Sequence, residues 1–129
     1  MGDRSGALPR VLVVDDFEDF TALLSDALSD AGCEVMVARS ARKAWEIFRA
    51  HRVRAMITER APGAPNPLRA CAALELARRI KETAPDTVVI MVSTSPPGEA
   101  ALVCDAVFRK PMDLARITAI LDRLNATKP

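Results

Sequence analysis

Short runs of apolar residues punctuate the chain, and between them the apolar positions recur at every third or fourth residue. The first run, Val11–Val14, is four consecutive apolar residues, three of them β-branched valines, between Arg10 and the pair Asp15-Asp16. A continuous run of this kind predicts a strand covered on both faces, as in the middle of a parallel sheet. Phe17–Ala31 then places Phe20, Leu24, Ala27, Leu28 and Ala31 on one face at helical spacing, with Gly32 as the closing residue. Glu34–Ala38 is expected to be a second strand. Ser40 is expected to cap a helix through Ala50 that turns Ala41, Ala44, Trp45 and Phe48 inward. Arg54–Thr58 is expected as the third strand. Asn66 and Pro67 supply a cap and a first-turn proline for a helix ending near Thr83, with Pro85 just beyond. Thr87–Val92 and Cys104–Arg109 predict the fourth and fifth strands, and Asp113–Ala126 a closing helix built on Leu114, Ile117, Ile120, Leu121 and Leu124.

Strands alternating with helices, joined by right-handed crossovers, predict an α/β, doubly wound parallel sheet of five strands. The chain of 129 residues, half of them hydrophobic, suffices for one core. The expected organisation is a flexible leader over 1–8, a single domain over 9–126 and a tail over 127–129. Between the fourth and fifth strands only Pro96–Val103 is left for a helix, so a shortened fourth helix is expected.

Charge narrows the partners. Eighteen basic and seventeen acidic side chains leave a net charge of +1, which argues against nucleic acid or an acidic membrane as an obligatory partner. No signal peptide and no bilayer-length apolar run is present, so a cytoplasmic location is expected. Cys33, Cys71 and Cys104 are widely spaced and odd in number, which suits core filling in a reducing compartment better than a disulfide framework. No Gly-x-Gly-x-x-Gly or P-loop occurs, and the single histidine, His51, sits among arginines as at a solvated helix end.

Four pieces of chemistry converge on one predicted sheet edge: Asp15-Asp16 after the first strand, Glu59 after the third, Ser93-Thr94 after the fourth and Lys110-Pro111 after the fifth. In open α/β sheets, ligands bind outside the carboxyl ends of the strands. This ordered set resembles the receiver (CheY-like) domain of bacterial two-component response regulators, over Arg10–Leu124. The resemblance implies a flavodoxin-like sheet in the order 2-1-3-4-5. It also implies a role in phosphorelay signal transduction, in which a histidine kinase gives a phosphoryl group to an aspartate ending the third strand. A hard cation, usually Mg²⁺, offsets the negative charge that gathers there. By resemblance, Asp15 and Asp16 are the metal-binding pair, Ser93 is the phosphoryl-binding hydroxyl and Lys110 the pairing ammonium. Pro111 is then the candidate for the family's cis peptide.

The departures carry most of the functional reading. Glu59 occupies the phosphoacceptor position, and no aspartate lies between Asp30 and Asp86. Its carboxylate extends one methylene further, about 1.5 Å, and in-line attack loses on the order of a hundredfold for about 1 Å of misplacement. The switch aromatic expected three residues before the lysine is Val107. The loop after Glu59 is longer than usual, with Pro62-Gly63 one residue early, and the partner is expected to dock beside it. The expectation is a degenerate receiver, not an enzyme, that binds a kinase, phosphotransfer or effector protein without phosphorylation. Weakened Mg²⁺ binding at Asp15, Asp16 and Glu59 is expected. The alternative is a working receiver that accepts a phosphoryl group from a histidine kinase in a Mg²⁺-dependent reaction.

Overall fold

The computed structural model describes residues 9–14, 18–59, 67–93, 100–109, 115–116 and 119. The elements run β1 (Arg10–Val14), α1 (Glu18–Asp30), β2 (Glu34–Ala38), α2 (Ala41–Ala50), β3 (Ala55–Glu59), α3 (Pro67–Thr83), β4 (Val88–Ser93), α4 (Ala100–Val103) and β5 (Ala106–Arg109). The five strands form one sheet in the order β2-β1-β3-β4-β5, and every pairing is parallel. This is the flavodoxin-like arrangement expected from the sequence.

Strand alternation divides the core in two. Leu12, Val14, Met56, Val89 and Met91 face α2 and α3, where Ala44, Leu74, Ala77 and Ile80 cover them. Val11, Val13, Ala55, Ile57, Ile90 and Val92 face the other way, where Leu24 and Leu28 of α1 cover them. Successive residues of β1 therefore feed opposite layers, which is why that segment is apolar without a break.

The helix ends follow from local chemistry. At the end of α1, Gly32 has φ 90. Its N–H donates to the Ser29 carbonyl, and the Cys33 N–H donates to the Leu28 carbonyl. These two bonds satisfy carbonyls that the helix leaves orphaned, and the left-handed residue between them favours glycine. At the start of α2, Ser40 accepts a hydrogen bond from the Lys43 N–H through its hydroxyl. Both signals had been visible in the sequence. Cys33 and Cys104 are buried, in line with their expected role as core fillers, while the surroundings of Cys71 lie outside the described side chains.

Several boundaries differ from the sequence expectation, and α1 is described over Glu18–Asp30 against the expected Phe17–Ala31. β3 and β4 each sit one residue later, ending at Glu59 and Ser93. β5 begins at Ala106 rather than Cys104, because Asp105 pairs with β4 partly through its side chain. The Asp105 N–H donates to the Val89 carbonyl at 2.8 Å, while its own carboxylate accepts the Val89 N–H at 2.8 Å. The same carboxylate receives Lys81 at 2.9 Å, and that ammonium also donates to the carbonyls of Pro85 and Thr87. One lysine at the end of α3 thus ties the turn before β4 to the start of β5. The fourth helix is a single described turn, and of the expected closing helix only Ala115, Arg116 and Ala119 are described, all helical. The leader and tail lie outside the described residues.

Replacing Asp105 by alanine leaves the Val89 N–H without its acceptor and should lower stability by about 1–3 kcal/mol, whereas asparagine keeps an acceptor oxygen and should cost less. Urea unfolding of both variants checks the order.

Burial also holds the neighbouring Cys104 thiol neutral, with its pKa pushed from the ordinary 9.0 to about 11; the Asp105 carboxylate adds to the rise and the Lys81 ammonium opposes it. The unfolded chain releases this proton above about pH 9, while the folded chain keeps it until about pH 11. Stability should therefore fall as pH rises through that window, by roughly 2–3 kcal/mol on the order-of-magnitude scale. The stability difference between wild type and Cys104→Ala should shrink from pH 8.5 to about 10.5; parallel curves would contradict the assignment.

Candidate functional site

Parallel pairing brings the carboxyl ends of all the inner strands to one rim. Val14, the residue before Asp15, pairs with Thr58, the residue before Glu59. Glu59 pairs with Val92, and Ser93 pairs with Arg109, the residue before Lys110. Neighbouring strands lie about 4.8 Å apart and rise about 3.3 Å per residue, so the Glu59 and Ser93 Cα atoms sit about 6 Å from each other. The register therefore sets Glu59 and Ser93 side by side on adjacent strands. Asp15, Asp16, Lys110 and Pro111 lie outside the described residues, and the Glu59 and Ser93 side chains lie outside those described.

Val107 is described in full. It is half-buried on β5, opposite Met91, and packs against the layer shared with α2 and α3. The next residue, Phe108, packs into the opposite layer, with the Arg116 guanidinium 6.0 Å from its ring centroid. A shift of one residue along a strand moves a side chain to the other face. Val107 and Phe108 therefore serve opposite layers of the core.

Among the described residues no group of three or more His, Cys, Asp or Glu side chains is gathered as a metal site. The chemistry of the wider set nevertheless fits a hard cation. Asp15, Asp16 and Glu59 offer only oxygen donors, which suit Mg²⁺ and not a softer metal. These three would hold it, and bound there it would offset negative charge at the rim.

Two features of the described chain escaped sequence reasoning. The Arg79 guanidinium of α3 lies 4.1 Å from the Trp45 ring centroid, and Trp45 stacks on Phe48 with centroids 5.6 Å apart. The other is the Lys81–Asp105 tie. Aspartate is disfavoured within strands, so its presence in the expected fifth strand was the one available signal.

The model of the response regulator receiver domain family matches residues 11–122. The chain belongs to that family. Its fold is similar to that of a response regulator from Thermotoga maritima, at 21% identity and a TM-score of 0.75, covering 94% of this chain and 100% of that one. It is also similar to the Vibrio cholerae chemotaxis protein CheY4, at 22% identity and a TM-score of 0.73, covering 91% and 98%. A third similar structure is the response regulator TrrA of Thermotoga maritima in complex with Mg²⁺ and BeF, at 21% identity and a TM-score of 0.74, covering 91% and 99%. No curated protein matches the chain.

Shortening Glu59 to aspartate withdraws its carboxylate by one methylene and opens the rim for a cation. Glu59→Asp should bind Mg²⁺ about tenfold more tightly than wild type, followed by amide shifts of residues 59 and 93. Equal affinities would count against a weakened site.

Proposed function

We propose that this receiver works as a protein-binding module in two-component signalling without being phosphorylated, and that it is not an enzyme. The observation that carries the reading is Glu59 as the last residue of β3, in register with Val92 and beside the Ser93 position. Accepting a phosphoryl group needs the nucleophilic oxygen in line with the donor, and a methylene's displacement is costly in rate. An acyl phosphate on a glutamate here would also project its new charge one carbon beyond where Ser93 and Lys110 are placed by resemblance. The glutamate instead brings a permanent anion to the rim.

Val107 supports the same reading. The family's switch reports phosphorylation by a hydroxyl drawn inward and an aromatic that follows it. Here the position is a half-buried valine already packed against the core, with far less bulk to relocate. The expected partners are a histidine kinase, a phosphotransfer protein or an effector. Among the described residues no helix is long and apolar enough to cross a membrane.

Incubating the protein with Mg²⁺ and acetyl phosphate should leave its intact mass unchanged, while Glu59→Asp should gain one phosphoryl group. A stable Mg²⁺-dependent adduct on wild-type Glu59 would instead establish a working phosphoacceptor.

A further inference from the structure

Charge is segregated along this chain in a way its net value of +1 hides. The helix α1 carries Glu18, Asp19, Asp26 and Asp30 and no lysine or arginine. From Arg39 to Arg54, across α2 and its flanks, there are six arginines and lysines against Glu46 alone. The fold sets these two segments on opposite faces of the sheet, since α1 covers the Val11 and Val13 layer and α2 the Leu12 and Val14 layer.

Glu18 and Asp19 at the start of α1 and Arg49 at the end of α2 suit their helices, but the other charges of the two helices do not. Anions are favoured at helix N-termini and cations at C-termini. Asp30 stands at the C-terminal end of α1, where no basic residue offsets it, and Asp26 lies one turn before it with the same sign. Arg42 and Lys43 stand in the first turn of α2, which holds no acidic residue. Like charges at i and i+4, and charges of the wrong sign for the helix dipole, both weaken a helix locally. Glu46 answers Arg42 and Lys43 at 3.8 and 3.6 Å, but Arg49 and Arg52 have no ion pair among the described residues. Each face also presents apolar surface: Leu23, 63% exposed and on the stripe of Asp26 and Asp30, and the half-buried Trp45–Phe48 pair on α2.

We infer that the α2 face is a docking surface for the α1 face of a second copy of this chain. Asp26 and Asp30 meet Arg42, Arg49 and Arg52, and Leu23 is covered in the contact. The two surfaces differ and lie on opposite sides of one sheet, so the contact is head-to-tail. A copy that has used its α1 still offers its α2, and association extends instead of closing at two. Charge complementarity of this kind acts within a Debye length, about 10 Å at 0.1 M salt, so the association is weak and salt-sensitive. The inference does not depend on what Glu59 does.

Sedimentation velocity of the full chain tests it. At about 20 mM NaCl the weight-average mass should rise continuously with protein concentration up to ~1 mM, and at about 0.5 M NaCl the association should weaken at least about tenfold. Asp26→Asn/Asp30→Asn and Arg42→Gln/Arg49→Gln/Arg52→Gln should each abolish the growth, and mixed in equal amounts they should restore a one-to-one complex that grows no further. Both sets of changes lie on exposed positions, and thermal melts verify folding; if one variant is unfolded, the salt series and the other variant still decide. A wild-type protein monomeric at ~1 mM in low salt overturns the proposal. So does a closed dimer that survives either variant. Binding of a DNA oligonucleotide to the α2 arginines without self-association would overturn it too, in favour of a polyanion.

Discussion

The rest of the molecule depends on β1 being buried from both sides. Its backbone is paired with β2 on one edge and β3 on the other, and its side chains alternate between two apolar layers. A strand so placed cannot be half-wet, so helices must cover both faces, and parallel neighbours must be reached through crossovers. Once every strand runs the same way, their carboxyl ends share one rim. The position of Glu59 beside Ser93 is thus a consequence of packing, settled before any chemistry at the rim is considered.

That separation lets a receiver scaffold carry different residues at its rim. Glu59 follows Thr58, which is 2% exposed, and Val107 packs on the α2–α3 layer without needing an aromatic. Neither substitution disturbs the layers that hold the sheet. Chemistry at the rim and stability of the core rest on different residues, so the acceptor can be changed while the fold remains that of the family. What Glu59 brings to the rim is a carboxylate on a longer arm, at the end of a strand paired on both sides.

Most of this fold was legible in the residues. The unbroken apolar run of β1 announced a central strand, Gly32 and Ser40 marked helix ends by chemistry that few other residues provide, and Pro67 sits at the first position of α3 as its missing N–H allows. The fifth strand was overextended because hydrophobicity does not reveal a side chain taking the place of backbone: Asp105 engages the Val89 N–H through its carboxylate. The stacking of Arg79 on Trp45 joins residues from two helices, a contact set by tertiary approach and invisible to periodicity. At the site, identity and order were readable from the sequence and the register confirmed adjacency for Glu59 and Ser93. The roles of Asp15, Asp16, Lys110 and Pro111 rest on resemblance, since those residues lie outside the described ones.

The rim opposite the site carries its own set of bonds between strand ends. The Glu34 backbone N–H donates to the Pro9 carbonyl, the Arg54 N–H to that of Arg10 and the Val88 N–H to that of Arg54, and Lys81 binds Asp105 together with the carbonyls of Pro85 and Thr87. These bonds continue the pairing to the base of each strand, as the pin of a zip fastener holds the lowest teeth in step. Pairing held at that base resists the one-residue slip that would turn the core side chains outward.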